Sequence, residues 1–155
     1  MPQIINFINY KKLVPEAKAP FRKIDVDAGF DLYAVRKEEK PKYVIYYTGI
    51  AFEIPVGFVG LVFPRSSVTD YDLMLKNCVG VIDASYRGEI MCRFFGTNTL
   101  NYKVGSNEAI IYGDDVYKVG ERIAQVVFLK LPKVILREVQ ELSDTQRGSQ
   151  GFGHT

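Results

Sequence analysis

The sequence predicts an all-β sandwich or barrel. Its apolar runs are short and rich in Val, Ile, Phe and Tyr, and Gly or Pro interrupts them about every ten residues. Stretches with the 3.6-residue period of a helix are nearly absent. The chain has 155 residues, 47% of them hydrophobic, which is enough for one domain with a substantial core.

Charge and cysteine content narrow the classes of function. Lys and Arg number 20 against 18 Asp and Glu, and no basic run marks a nucleic-acid surface. No apolar stretch reaches the ~18–20 residues that span a bilayer, and no signal-peptide core follows the N-terminus, so we expect a cytoplasmic protein that binds no membrane. Cys78 and Cys92 are too few for a disulfide framework, and we expect two free, buried thiols. With one His, the chain also lacks a ligand set for structural zinc.

A first strand is predicted at Ile4–Asn9, and the next informative stretch is residues 27–34. There Gly29 lets the chain turn or a neighbour approach closely. Asp31 stands among apolar residues, where an unpaired charge is costly, so it needs a partner, a metal-bound water or solvent. The plainer alternative is an exposed strand position.

A buried strand, Phe58–Phe63, leads into Pro64-Arg65-Ser66-Ser67, and the only predicted helix, about Val68–Lys76, follows. Helix N-termini attract phosphate, and Arg and Ser are good phosphate donors. Ser at a helix start is equally an ordinary N-cap.

Val79–Phe95 is predicted to form a hairpin, with Asp83 and Tyr86 in the loop between its two strands. This placement suits a pocket wall that carries a base, although Asp also initiates ordinary turns. Before it, the Asn77 amide can donate and accept, as recognition of a base edge requires.

A second turn followed by a strand, residues 120–129, contains Gln125 among apolar neighbours. A buried amide must find partners, either in the backbone or in a site. The last nine residues, 147–155, combine three glycines with Arg147 and Phe152. We expect a flexible tail that can close over a bound nucleotide, with Arg on a phosphate and Phe on a base.

Taken together, five stretches of the sequence resemble the five ordered motifs of the homotrimeric dUTP diphosphatases (dUTPases). The match covers nearly the whole chain. The stretches are Ala28–Ala34, Pro64–Ser67, Gly80–Gly88, Gly120–Gln125 and Arg147–Gly153.

The resemblance implies a role for each matching residue. Asp83 is implied as the general base that activates the attacking water, and Tyr86 as the ring that packs beneath the deoxyribose and excludes a 2′-hydroxyl. Asp31 is implied as a contact to a water on the metal. The implied uracil readers are Asn77 and the backbone of Val81, Ile82 and Met91; the implied phosphate ligands are Arg65, Ser66, Ser67 and Gln125; and the implied closing arm carries Arg147, Phe152 and Gly153.

The resemblance also implies an architecture and a reaction. It implies a distorted jelly-roll or β-clip-like barrel with one short helix, comprising residues 1–142, and a flexible C-terminal arm, 143–155, that closes over the site of a neighbouring subunit. The implied reaction is Mg²⁺-assisted hydrolysis of dUTP to dUMP and pyrophosphate by a homotrimer, which keeps uracil out of DNA and supplies dUMP for dTMP synthesis. Mg²⁺ bound mainly by the phosphates would need no dedicated protein cage.

Two alternatives share this fold. A dCTP deaminase would resemble the chain at Arg65–Ser67, but that family places a catalytic Glu where Arg93 stands here. A nucleotide-gated interaction protein is the second alternative. For that role the unusually long, irregular segment Thr97–Lys118 is the candidate surface.

Overall fold

The described part of the chain is built almost entirely of β-strands. The computed structural model describes residues 7–40, 43–71, 73–96 and 116–151. The strands are β1 Asn9–Lys12, β2 Phe30–Tyr33, β3 Arg36–Lys40, β4 Tyr43–Tyr47, β5 Ile50–Glu53, β6 Phe58–Pro64, β7 Leu73–Leu75, β8 Gly80–Ile82, β9 Met91–Gly96 and β10 Arg122–Lys130, with a 3₁₀ helix at Ser66–Tyr71. The all-β prediction is therefore confirmed.

The strands form three antiparallel sheets. One four-stranded sheet has the order β2-β10-β6-β8, a second has the order β3-β4-β9-β7, and β1 pairs with β5. The core cluster draws on both four-stranded sheets, with Leu32, Val62 and Val126 from the first and Tyr46 and Phe94 from the second. Apolar faces of twisted sheets are stable only when they cover one another, which explains this layered packing.

The long strand β10 lies in the middle of the sheet that carries most of the candidate site. It pairs with β2 on one side and β6 on the other, with Gln125 opposite both Asp31 and Phe63. Ile123, Ala124 and Val126 are fully buried. The strand thus brings the first, second and fourth motifs into one sheet, although they are far apart in sequence.

The predicted hairpin at Val79–Phe95 is wrong. β8 pairs with β6, whereas β9 pairs with β4 and β7 in the other four-stranded sheet. Hairpins favour loops of about two to five residues, and the segment 83–90 is longer than that. It crosses from one sheet to the other, so the loop with Asp83 and Tyr86 bridges the two layers.

The predicted helix at Val68–Lys76 is also wrong in place and type. The helix is a single 3₁₀ segment that begins at Ser66, and Leu73–Leu75 form a strand. Leu73 and Leu75 are buried while Met74 is exposed, which is the two-residue period of a strand. A 3₁₀ turn this short does not supply the helix N-terminus that the phosphate argument used.

Two smaller predictions also change. The predicted strand Ile4–Asn9 falls mostly outside the described residues, and the described strand begins at Asn9. Both cysteines are free, as predicted, and Cys92 is buried, but Cys78 is exposed. Cys78 lies in a turn between β7 and β8, where its φ of 58° turns the chain toward solvent. In the part of the chain that the structure describes, no helix is long and apolar enough to cross a membrane.

Candidate functional site

The carboxylate of Asp31 binds two arginines at once. Arg65 Nε donates to Oδ1 at 2.7 Å, and Arg122 Nη1 donates to Oδ2 at 3.0 Å. The side chain of Asp31 is 17% exposed, against 21% for Arg65 and 43% for Arg122. The sequence left open whether Asp31 contacts a protein partner, a metal-bound water or solvent. The structure shows that it binds two arginines. One carboxylate therefore holds two guanidinium groups close together at the end of β6 and the start of β10, which suits an anionic ligand.

Ser67 continues this network. Arg65 Nη1 donates to Ser67 Oγ at 3.2 Å and to the Arg122 carbonyl at 3.4 Å. The Ser67 hydroxyl also lies 3.1 Å from the phenol oxygen of Tyr117, which is buried. Burial raises the pKa of the Tyr117 phenol, and its bond to Ser67 acts in the opposite direction. Ser66 is exposed in the same turn, so both serines lie beside the paired arginines.

Gln125 is fixed from two sides. Its Nε2 donates to the Pro64 carbonyl at 3.1 Å, so the amide does bond the backbone. On the other side lies Gly29, where an added Cβ would fall 2.5 Å from Gln125 Oε1. The absence of a side chain at Gly29 thus leaves the space that the amide occupies. One Nε2 hydrogen of Gln125 is left for a ligand.

The loop after β8 presents Asp83 and Tyr86 to solvent. The Asp83 carbonyl accepts from the Tyr86 amide at 3.0 Å, which closes a turn. The Asp83 carboxylate is exposed and makes no hydrogen bond or ion pair with any described residue. The Tyr86 ring lies over Gly88, where an added Cβ would fall 2.4 Å from the phenol oxygen, and that hydroxyl donates to the Glu89 carbonyl. The loop is thus folded on itself, with one carboxylate available for chemistry.

The predicted uracil readers flank this loop. Val81 and Ile82 lie on β8, which is at the edge of its sheet among the described strands, with β6 on one side, and Val81 is 62% exposed. Met91, 43% exposed, pairs with Tyr47 on β4, while the described pairing of β9 with β7 begins further along the strand. Asn77 is exposed in the turn before β8. Unpaired backbone N–H and C=O groups at a strand edge can recognise a planar hydrogen-bonding partner.

The described part of the C-terminal segment, residues 131–151, makes its side-chain hydrogen bonds locally. Residues 131–150 are exposed and contain no strand or helix, and Arg147 Nε donates locally to the Gln150 carbonyl at 3.0 Å. No hydrogen bond or ion pair between described residues joins this segment to the paired arginines or to Asp83. Phe152 and Gly153 lie outside the described residues.

The polar groups of the site fit a metal ion that is held mainly by the phosphates of a bound ligand and less by the protein. Within the described ranges, no cluster of three or more His, Cys, Asp or Glu side chains can hold a metal ion. Each carboxylate oxygen of Asp31 accepts one hydrogen bond from an arginine. The remaining lone pairs can accept a hydrogen bond from a metal-bound water. Mg²⁺ is commonly bound by one or two carboxylates together with substrate phosphates and several waters. The arrangement around Asp31 is compatible with that chemistry.

Comparison with known proteins identifies the family. A family model described as dUTPase matches residues 15–155. The chain belongs to the dUTPase family. Among its relatives, deoxyuridine 5′-triphosphate nucleotidohydrolases from Syntrophotalea carbinolica and Corynebacterium glutamicum are 39% and 40% identical, each aligned over 96% of this chain and over 95% and 93% of their own lengths. The resemblance read from the five motifs is confirmed.

Solved structures support the same dUTPase assignment. Staphylococcus bacteriophage 80alpha dUTPase superimposes with a TM-score of 0.78 at 29% identity, and the match covers 98% of this chain and all of the phage chain. A further phage 80alpha dUTPase structure, with a TM-score of 0.77, contains the nucleotide dUpNHpp. Phage dUTPases of this group control transfer of virulence genes by a G protein-like mechanism, and the dUTPase of phage phi11 coordinates a structural Mg(II) ion.

Two residues of the network had no assigned role in the sequence analysis. Arg122 stands inside the fourth motif, at the start of a predicted strand, and its place in that motif was the available signal. Tyr117 gave no signal, because its contact with Ser67 spans fifty residues of sequence. Such contacts depend on strand register, which local sequence patterns do not specify.

Proposed function

We propose that this chain hydrolyses dUTP to dUMP and pyrophosphate. One observation carries the proposal: the described chain has two groups of polar atoms that suit different parts of a nucleotide, and we propose that they are the two halves of its site. One half is the network of paired arginines around Asp31, which suits phosphate. The other is β8, which pairs with β6 alone among the described strands, together with the Asp83 carboxylate, which has no partner among the described residues. The deoxyuridine 5′-triphosphate nucleotidohydrolase of Corynebacterium glutamicum, which is 40% identical to this chain, supports the choice of substrate.

The two halves lie too far apart on one chain to bind the same phosphate group. Ile82, just before Asp83, pairs with Gly60, whereas Arg65 follows the far end of β6. At about 3.3 Å per residue, the strand from Gly60 to Arg65 spans about 16 Å. A site that places Asp83 beside phosphates held by Arg65 therefore needs these two residues from different subunits. We propose a homotrimer with shared sites, as the family resemblance implies.

The exposed C-terminal segment supports this assembly. Its large apolar side chains have little cover within one chain: Ile135 is 83% exposed, Leu136 95% and Leu142 87%. Contiguous exposed apolar groups favour burial against another chain. We propose that residues 1–142 form the β domain and that the arm 143–155 closes over a neighbour's site, with Arg147 on a phosphate and Phe152 and Gly153 against the nucleotide.

In the phosphate-binding half, Arg65, Ser66, Ser67 and Gln125 bind the triphosphate. Arg65 is held by Asp31 and the Arg122 carbonyl, and Gln125 by the Pro64 carbonyl, so these two donors need little reorganisation when the anion arrives. Mg²⁺, when bound to the phosphates, offsets their charge. When that ion is bound, Asp31 would hold one of its waters through a free lone pair of the carboxylate.

In the other half, Asp83 acts as the general base. Its exposed, unpaired carboxylate can hold a water in line with the scissile bond, and base catalysis of this kind contributes about 10²–10⁴-fold. The Tyr86 ring packs beneath the deoxyribose and excludes a 2′-hydroxyl. Asn77 and the backbone of Val81, Ile82 and Met91 read uracil, because a wrong base would leave buried donors or acceptors unpaired.

The test is pyrophosphate release with Mg²⁺ from dUTP, dCTP, dTTP and UTP, measured in parallel. Rapid release from dUTP alone is expected, because Asp83 activates the water, the uracil readers reject other bases, and Tyr86 excludes a 2′-hydroxyl. Ammonia from dCTP would assign the chain to the deaminase branch instead. Turnover of UTP at a rate similar to dUTP would contradict the role of Tyr86.

A truncation tests the arm separately. Removal of residues 143–155 should leave a trimer with little activity, because only the closing arm is lost. Analytical ultracentrifugation measures the trimer. Dissociation into monomers would show that the arm holds the assembly together instead. The same experiment on the full chain measures the proposed trimer directly.

We propose a cellular location from the state of the cysteines. An exposed free thiol at Cys78 persists in a reducing compartment, so a cytoplasmic location fits the chain. A nucleotide-gated interaction role in addition to catalysis stays a prediction. Most of its candidate surface, Thr97–Lys118, lies outside the described residues.

A further inference from the structure

We propose that Tyr117 is a positioning residue that directs the hydroxyl proton of Ser67 toward a phosphate of the bound nucleotide. The inference rests on the proposed function, since it assumes that Ser67 binds phosphate. It adds a residue that lies outside the five motifs and does not itself touch the ligand.

The Tyr117 ring is held rigidly. The residue is 1% exposed, and its ring contacts those of Tyr71, Phe94 and Tyr46 with centroids 4.4, 5.9 and 6.1 Å away. The Tyr46 hydroxyl also donates to the Tyr117 carbonyl at 2.9 Å. A tyrosine fixed at its backbone and on its ring faces has one place for its hydroxyl, which is beside Ser67.

The hydrogen bonds around Ser67 then determine where its own proton points. A serine hydroxyl has one hydrogen and two acceptor lone pairs. Arg65 Nη1 occupies one lone pair at 3.2 Å. If Tyr117 donates across the 3.1 Å contact, it occupies the second, and the serine hydrogen must point away from both groups. An anion that approaches the paired arginines then meets a donor.

Tyr117 is the better donor of the two hydroxyls. A phenol is far more acidic than an aliphatic hydroxyl, with an ordinary pKa near 10. Burial raises the pKa of Tyr117 above this ordinary value, so the phenol keeps its proton at neutral pH and can donate it in a hydrogen bond. Arg65 also repels a serine hydrogen that would point back toward the protein, because the guanidinium is always charged.

The test is a double-mutant cycle between Tyr117→Phe and Ser67→Ala. Tyr117→Phe keeps the ring and removes only the hydroxyl, so we expect a loss of dUpNHpp affinity of about three- to tenfold, the usual range for one hydrogen bond. In the Ser67→Ala background the same change should have no effect on affinity, because the group that it orients is absent. Deoxyuridine, which has no phosphate, should bind both Ser67-containing proteins equally.

Tyr47→Phe is the matched control. It also removes a partly buried phenol hydrogen bond, from Tyr47 to Glu38 at 2.8 Å, but this bond joins β4 to β3 and involves neither Ser67 nor Arg65. This variant should keep wild-type affinity. Melting temperatures of all variants show whether a general loss of stability explains any change.

Two outcomes would overturn the proposal. Wild-type dUpNHpp affinity in Tyr117→Phe would show that the phenol does not orient Ser67. An equal loss in the wild-type and Ser67→Ala backgrounds would show that Tyr117 acts through the fold. Failure of the wild-type chain to bind dUpNHpp or hydrolyse dUTP would instead refute the proposed function itself.

Discussion

Asp31 and Arg122 form an ion pair between neighbouring strands, with 3.0 Å between Oδ2 and Nη1, although they are separated by 91 residues of sequence. The same carboxylate binds Arg65 through its other oxygen. Two arginines that bind the same carboxylate would repel each other without its negative charge between them. Asp31 therefore holds two cationic side chains together, as the proposed phosphate site requires.

Replacement of Asp31 by Asn should disturb this arrangement. An amide carries no charge and offers one oxygen, so Arg65 and Arg122 lose a shared partner. We expect the free energy of unfolding to fall by about 1–3 kcal/mol and KM for dUTP to rise. Urea unfolding and steady-state kinetics measure these effects. Asp25→Asn, which removes a fully exposed carboxylate that pairs with Arg22, should change neither quantity, and an equal effect of the two variants would contradict the role of Asp31.

Gly29→Ala should impair phosphate binding more than it impairs stability. The new Cβ would lie 2.5 Å from Gln125 Oε1, and the amide at the end of a flexible side chain can move away. That movement breaks its bond to Pro64 and removes a phosphate donor. We expect a higher KM for dUTP with nearly unchanged melting temperature. In a Gln125→Ala background, Gly29→Ala should have little further effect; a full additional loss would mean that Gly29 acts elsewhere.

Asp83→Asn should separate binding from chemistry. The Asp83 carboxylate has no described partner to lose, so folding should be unaffected, while removal of the base should lower kcat by about 10²–10⁴-fold. Isothermal titration with dUpNHpp should give wild-type affinity. An unchanged kcat would exclude Asp83 as the base, and Asp25→Asn again serves as the control.

The two cysteines should differ in reactivity. Cys78 is exposed, whereas Cys92 is buried and its burial raises the pKa of its thiol to about 12. Since the thiolate is the reactive form, an Ellman titration of the native protein should detect one thiol per chain, and unfolding in guanidinium should reveal the second. Cys78→Ser should abolish the native signal. Two reactive thiols in the native state would mean that the core around Cys92 opens readily.

Alkaline conditions should weaken the fold partly through Cys92. Its pKa in the folded protein, about 12, lies above the ordinary 9.0, so its contribution to stability is complete below pH 9 and is lost as pH rises toward 12. In that interval it lowers the free energy of unfolding by up to about 1.4 kcal/mol per pH unit. Unfolding curves of wild type and Cys92→Ala between pH 8 and about 11 should diverge in slope accordingly. Parallel curves would contradict a raised thiol pKa.

The sequence predicted the fold class and the polar residues that have no reason to stand in apolar strands. Asp31 and Gln125 were such residues, and the structure places them opposite each other on β2 and β10. The pairing of strands was less predictable. A two-residue period identifies a strand but not its neighbour, so β8 and β9 were assigned to one hairpin although they lie in different sheets. The 3₁₀ turn at Ser66–Tyr71 was similarly obscured, because a few polar residues before an apolar run fit a helix start equally well.

The position of β10 has a consequence for how the chain folds during synthesis. The described strands of the sheet β3-β4-β9-β7 have all been made once residue 96 emerges, whereas the one described strand that pairs with β2 is β10, at 122–130. Pairings between such distant segments are slow to form. β2 and one edge of β6 therefore lack their described partner until β10 has been made. An incomplete chain exposes these strand edges, which favours aggregation. The network around Asp31, which is the proposed phosphate-binding half of the site, is thus among the last described parts of the molecule to form, and a chain interrupted before β10 lacks Arg122 and Gln125 of that network.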